Sequence, residues 1–243
     1  LKSKPIVIGE SDPDGCAACQ GPQLGYRNGT MYSSYTAASF AREHELAARH
    51  GVNLEGVLTW AFEFEDQPWF AGFRVLASNG VDLPVLNVFR MFSHMSGQRL
   101  AVESSGAVAL DDMLKGGVRT QPDVSALASM DGRKLWVVAW HYHDDDLPGP
   151  DAKMELDLVG LPLREGEARV REFRVDATHS NAFTAWQKLG SPARPTAAQY
   201  KILEKAGQLA VVGSPAKIVV RENQAKLSLD LPRQAVALLE VEW

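Results

Sequence analysis

The chain has 243 residues, 45% of them hydrophobic, and a formal net charge of −5. That is enough apolar material for one large core or two smaller ones. The mild acidity and scattered basic residues argue against nucleic acid as a partner, and no apolar run is long enough to span a membrane. Cys16 and Cys19 are the only cysteines, too few for a disulfide framework.

The chain opens on Leu1-Lys2-Ser3-Lys4, which reads neither as a signal peptide nor as an initiating segment. A strand follows at once, as expected of a chain whose earlier part lies elsewhere. Pro5-Ile6-Val7-Ile8 is an apolar run of the kind buried on both faces of a parallel sheet, and it runs through Gly9 into Glu10. A carboxylate at the C-terminal end of such a strand is where α/β barrels keep catalytic groups. The plainer alternative is that Glu10 begins a solvated loop. A long loop, residues 11–34, is rich in Gly, Pro, Asn and Ser, and loops of that length are often functional.

Tyr35 to His50 reads as a helix with an apolar side of Ala38, Phe40, Ala41, Leu46 and Ala47, stopped by Gly51. Leu54 to Trp60 reads as a second strand, and Leu83 to Met95 as a helix opened by Pro84 and stopped before Gly97. Strand, helix, strand, helix is the rhythm of a parallel sheet or barrel. Closing a barrel takes about eight strands, so residues 1–97 are expected either to be the last part of one or to have their sheet completed by something else.

From about residue 99 the rhythm changes to short strand-like runs: Leu100–Glu103, Val124–Ser129, Lys134–Tyr142, Lys153–Val159, Arg169–Val175, Lys217–Arg221, Lys226–Leu231 and Ala235–Val241. Turn signals such as Asp131-Gly132 separate them, which predicts an antiparallel β-sandwich over residues 98–243. One inserted helix is expected at 197–206, with Thr196 as N-cap and Gly207 as stop.

Several constellations could carry chemistry. Glu10, Glu63 and Glu65 would share the mouth of one barrel, and glycoside hydrolysis uses two carboxylates. Trp60, Phe62, Trp69 and Phe70 lie close by in sequence, and sugars stack on such rings; alternatively Trp60 and Phe62 are core and the two glutamates are loop charges. Cys16-Ala17-Ala18-Cys19 is a C-x-x-C without a second pair, so loop thiols, packed or bridged, are the default over a redox or zinc site. His141 and His143 would face one side of a strand beside Asp144, Asp145 and Asp146, a metal-site pattern, but a solvated strand end is commoner. His179-Ser180-Asn181 reads as a cap or turn, since triad partners meet through the fold rather than in sequence.

These residues resemble the C-terminal portion of a glycoside hydrolase family 39 enzyme, on the β-xylosidase branch. Lys4-Pro5-Ile6-Val7-Ile8-Gly9-Glu10 resembles the segment with the family's nucleophilic glutamate. Leu58-Thr59-Trp60-Ala61-Phe62 resembles its final barrel strand, and Phe70-Ala71-Gly72-Phe73-Arg74-Val75 the segment after it. Leu83-Pro84-Val85-Leu86-Asn87-Val88-Phe89 resembles a helix entry, and Asp176 to Phe183 with Gly190-Ser191-Pro192 the appended sandwich.

The resemblance implies a retaining glycosidase that releases terminal xylose from β-1,4-linked xylo-oligosaccharides, with Glu10 as nucleophile. It implies substrate contacts at Trp60, Phe62, Glu63, Glu65 and Trp69, with no cofactor and no metal. The family's acid/base follows an asparagine on an earlier strand. Asn53-Leu54-Glu55 is no match, so that residue is expected in the remainder of the catalytic barrel, and this chain alone is expected to be inactive. Glu10-Ser11-Asp12-Pro13 is similar to the Glu-x-Asp-Pro of the α-L-iduronidase branch, which keeps that specificity open beside a non-catalytic, carbohydrate-binding fragment. Asp12, Asp14, Tyr26 and Arg27 follow Glu10 closely enough to tune it or to bind. Compartment (bacterial cytoplasm or periplasm) and homo-oligomer formation are left open.

Overall fold

A computed structural model describes residues 4–16 and 18–243. The leading Leu1-Lys2-Ser3 and Ala17 of the C-x-x-C segment lie outside the described residues.

Strand β1 (Ile6–Ile8) runs parallel to β2 (Leu54–Val57), with Ile8 opposite Val57. Parallel pairing needs a crossover, and helix α1 (Thr30–His50) provides it. The helix starts at Thr30, earlier than the expected Tyr35. Its first turn looks loop-like in sequence but is buried: Met31 and Tyr32 pack inward, and Ser34 donates to Gln234 Oε1 at 2.6 Å. Gly51 ends it in the left-handed conformation, φ 62°, as expected of a C-cap.

The expectation that the first strand is buried on both faces is corrected. Ile6 and Val7 are 40% and 56% exposed. The reason is that, among the described residues, β1 belongs to a ladder of only two strands whose faces are covered in part.

A small hairpin of β3 (Ala77–Ser78) and β4 (Val81–Asp82) leads into helix α2 (Pro84–His94), whose Pro84 occupies the first turn. Phe40 of α1 meets Phe89 of α2 edge-on, with centroids 5.6 Å apart.

The rest of the chain gives β5 (Gln98–Leu100), α3 (Leu110–Gly116), β6 (Asp123–Asp131), β7 (Lys134–Tyr142), β8 (Ala152–Val159) and β9 (Gly166–Val175). Then come α4 (Ala182–Lys188), α5 (Ala197–Gly207), β10 (Ala210–Val211), β11 (Ala216–Val220), β12 (Gln224–Leu231) and β13 (Val236–Glu242). The expected helix is α5, and Thr196 with Gln199 forms a reciprocal capping box at its start. Helices α3 and α4 were not expected: at seven residues each, neither is long enough to display an apolar period.

The main sheet is antiparallel in the order β10-β9-β13-β7-β6-β5, with β11 also paired to β9, while β8 and β12 form a separate two-stranded ladder. Each face of the main sheet has its own cover. Trp136, Val138 and Trp140 of β7 pack with Ala38 and Ala41 of α1 and Val88 and Met91 of α2. Leu135 and Val137, on the opposite face, pack with Leu158 of β8 and Ala225 of β12. With cover on both sides, β7 is buried along its whole length except Lys134. Among the described residues no helix is long and apolar enough to cross a membrane.

The helices and the main sheet are also tied by charge. Asp123 at the start of β6 is wholly buried and accepts from Arg42 Nη2 of α1, from Val108 N and from Trp140 Nε1, each at 2.8 Å. Removing one member of a buried pair strands the other, at a cost of about 3–5 kcal/mol. Asp123→Ala is expected to lower the unfolding free energy by about that amount in urea denaturation. A loss below about 1 kcal/mol would mean that water replaces the carboxylate, as it does for an exposed pair.

Candidate active site

The β1–β2 ladder, whose register already shifts between Ile6 and Val7, has a further irregularity beyond its paired residues. Leu58 N donates to Ile8 O at 2.8 Å, and Ser11 N donates to Leu58 O at 2.8 Å. In a regular parallel ladder the N–H of Glu10 would take that second place. The chain therefore carries one extra residue at Gly9-Glu10, a bulge, and bulges re-aim side chains. Glu10 does not join the ladder, and its carboxylate, 51% exposed, accepts from Arg74 Nη2 at 3.2 Å.

Arg74 is only 5% exposed, set between Phe73 and Val75 in a buried run. Its other terminal nitrogen, Nη1, donates to Oδ2 of Asp12. The Asp12 side chain has no exposure at all. Its Oδ1 accepts from Thr59 Oγ1 at 2.8 Å and from the Tyr32 hydroxyl of α1. Burial, and after it the Asp12 charge, push the Tyr32 phenol well above its ordinary value, so Tyr32 stays a neutral donor.

A second carboxylate–guanidinium pair braces the following loop. Arg27, fully buried, donates through Nε to Asp14 at 3.2 Å, through Nη2 to Cys16 O at 2.7 Å and through Nη1 to Gly72 O at 3.0 Å. Gly72 lies two residues before Arg74, so this brace also steadies the segment that reaches Glu10. Burial alone would raise Asp14; the hydrogen bonds from Tyr26, Cys16 N–H and Arg27 outweigh it and hold the carboxyl below the usual range. Burial and the Asp14 contact push the Tyr26 phenol up to about 12. Cys16 and Cys19 are joined as a disulfide, the bridged form of the loop-thiol reading.

The other expected site residues are placed as follows. Trp60 lies just beyond β2, partly exposed, edge-on to Phe64 at 5.1 Å, and Phe64 is edge-on to Phe73 at 5.1 Å. This aromatic string runs from Trp60 to the neighbour of Arg74. Phe62 is exposed. Glu63 Oε1 is engaged by Gly80 N at 2.7 Å, in the β3–β4 turn, while Glu65 is exposed. Trp69 is half-buried, against Phe70 at 6.0 Å and Tyr200 of α5 at 6.1 Å. Sequence reading singled out none of Arg74, Thr59 and Tyr32 as site residues. The available signal was a lone cation inside the apolar run Phe70–Leu76, because a buried guanidinium demands a carboxylate.

The reading of His141-Tyr142-His143 as a solvated strand end is corrected. His141 and His143 are buried, with His141 Nδ1 facing Leu231 O at 3.0 Å and His143 Nδ1 facing Asp145 at 2.9 Å. The return of the chain through Leu231–Ala235 covers them, a contact distant in sequence. Asn181 caps α4, accepting from Thr184 N at 3.0 Å. A hollow of about 430 Å³ lies away from Glu10, between α1, α2 and the β5–β6 edge, lined by Phe40, His44, Val57, Phe92 and Arg99.

The sequence signature of glycosyl hydrolases family 39 matches residues 1–219. The chain belongs to that family. A search of curated proteins gives no significant match. Among solved structures, the family 39 chain is similar to a monomeric β-xylosidase from Caulobacter crescentus CB15, at 17% identity and TM-score 0.69 over 99% of this chain and 46% of that one. It is similar to a family 39 enzyme from Xanthomonas axonopodis pv. citri, at 14% identity and TM-score 0.69 over 93% and 43%. It is also similar to a bacterial orthologue of human α-L-iduronidase, at 16% identity and TM-score 0.76 over 98% and 41%. The chain thus spans less than half the length of each of these proteins, and at these identities the likeness concerns the fold.

The Asp14–Arg27 brace makes a pH prediction. A folded-state value below the ordinary 3.8 stabilises above that value, and the stabilisation is lost as pH falls through the depressed one. Asp14→Asn is expected to melt earlier than the parent at pH 7, with the gap closing as the pH drops below about 4. Melting curves across pH 2–7 measure it, and a constant gap would remove Asp14 ionisation as the cause.

Proposed function

We propose that this family 39 chain is the C-terminal portion of a retaining glycosidase that releases terminal xylose from β-1,4-linked xylo-oligosaccharides. In this reading residues 1–97 supply the last two strands of a (β/α)8 barrel and residues 98–243 an appended β-sandwich. The half-exposed Ile6 and Val7 of the two-stranded β1–β2 ladder support that reading, because apolar strand faces need a cover. Glu10 is the nucleophile. The observation that carries the assignment is its carboxylate, half-exposed at the end of a parallel strand and paired to a nearly buried guanidinium. A nucleophile has to be within reach of the sugar and held in a fixed direction, and this geometry favours both.

An Oε atom of Glu10 attacks the anomeric carbon. The bond to the leaving oxygen breaks, and that oxygen takes a proton from an acid that the reading places outside this chain. Water then attacks the same carbon, gives a proton to the resulting base and releases Glu10. Trp60 and Phe62, exposed beyond β2, offer rings for the sugar faces. Glu63 and Glu65 lie on the same connection, with Glu63 held by the β3–β4 turn.

A second reading, a uronic-acid glycoside as substrate, is supported by one observation: Glu10-Ser11-Asp12-Pro13 resembles the Glu-x-Asp-Pro of the α-L-iduronidase branch. Aryl β-xyloside and aryl α-L-iduronide, assayed side by side, separate the two.

In the enzyme that carries this chain, Glu10→Ala is expected to cut kcat by about 10⁴-fold or more. A 2-deoxy-2-fluoro xylosyl fluoride should leave its sugar on the peptide containing Glu10, read by mass spectrometry. Near-normal turnover by the variant, or a label elsewhere, removes Glu10 as nucleophile.

A further inference from the structure

We propose that Asp12 is a positioning residue: a wholly buried carboxylate that fixes Arg74 and, through it, the direction of the Glu10 side chain. The inference rests on the reading of Glu10 as nucleophile and assigns the residue that aims it. Asp12 cannot touch substrate, since its side chain has no exposure. Instead three donors from three parts of the chain converge on it: Tyr32 of α1, Thr59 just beyond β2, and Arg74. A buried carboxylate left unpaired would be strongly unfavourable, so each of these donors is held in place by the need to satisfy it.

The consequence follows from the shape of arginine. The guanidinium is a rigid plane, so fixing Nη1 on Asp12 also fixes where Nη2 points. Nη2 is the nitrogen 3.2 Å from Glu10 Oε2. An arginine with only an exposed carboxylate as partner makes a weak, mobile pair. With Asp12 behind it, the same arginine presents a stationary donor to a carboxylate that leaves the ladder through a bulge and has little else to hold it. Misplacement of a reacting group by about 1 Å can cost about 100-fold in rate, so such a support acts on turnover more than on binding. Tyr32 and Thr59 make the support a register mark as well, locking the Glu10 loop to α1 and β2 together.

The test uses Asp12→Asn in the enzyme that carries this chain. Asparagine keeps the shape and one acceptor for Tyr32 and Thr59, but turns an amide N–H₂ toward Arg74, donor against donor. On an aryl β-xyloside, kcat is expected to fall about 10- to 100-fold with KM changed less than about 3-fold. Arg74→Met is expected to fall at least as far. The double variant should be no slower than Arg74→Met alone, because both substitutions break one chain of contacts.

If Asp12→Asn does not fold, Thr59→Val decides. It removes one donor and keeps both charges, and should lower kcat about 3- to 10-fold at unchanged KM. A near-normal kcat in Asp12→Asn or, where that variant fails to fold, in Thr59→Val overturns the proposal. So do losses that multiply in the double variant. Failure of the fluoro-sugar to label Glu10 in the parent enzyme would sink the nucleophile reading itself, a separate outcome from any of these.

Discussion

A guanidinium buried in an apolar run has to find negative charge, and at Arg74 this need organises the surroundings of Glu10. The segment from Phe70 to Leu76 is apolar apart from that one cation. Asp12 answers it from below and Glu10 from the solvent side. Asp12 in turn draws in Tyr32 and Thr59, so one charge in a hydrophobic setting brings together the ends of β1 and β2, the first turn of α1 and the stretch before the β3–β4 hairpin. Arg27 repeats the device one layer on, gathering Asp14, the disulfide loop and Gly72 around a second buried cation. Satisfying a buried charge is strongly directional, which is why two such centres can hold irregular loops in fixed positions.

Much of this was legible in the sequence, and the limits have physical causes. Periodicity and caps locate α1, α2 and α5, since each is long enough to show an apolar side and each has a stop or start signal such as Gly51, Pro84 or Thr196. Alternation locates the sheet strands, including β12, where Leu227, Leu229 and Leu231 share a face. The first turn of α1 escaped because Ser33 and Ser34 look like loop residues until Gln234, far along the chain, is known to receive Ser34. The burial of His141 and His143 escaped for the same reason.

Glu10 was legible as a candidate from local pattern alone, as a polar end to an apolar strand. Its support was only half legible. Asp12, Asp14, Tyr26 and Arg27 stood out as near neighbours in sequence, yet nothing local says that Asp12 serves Arg74 while Asp14 serves Arg27. That partition is set by tertiary placement: the Asp12 side chain turns into the space between α1 and the end of β2, and Asp14 sits against the buried Arg27. Glu63 shows the reverse case. A glutamate plausible as a ligand by sequence position has one carboxylate oxygen taken by the Gly80 amide.

The double cover on β7 has a consequence for how such a protein can be rearranged. Its two faces belong to two different neighbourhoods: Trp136 and Trp140 are roofed by α1 and α2, while Leu135 and Val137 rest on β8 and β12. Asp123 adds a charged rivet from the sheet to Arg42. A graft that moved the C-terminal sheet onto a foreign catalytic unit would bare an aromatic wall and an orphaned carboxylate unless both helices travelled with it. Exposed hairpin turns such as residues 131–133 are the places where the sequence can be opened with this cover left whole.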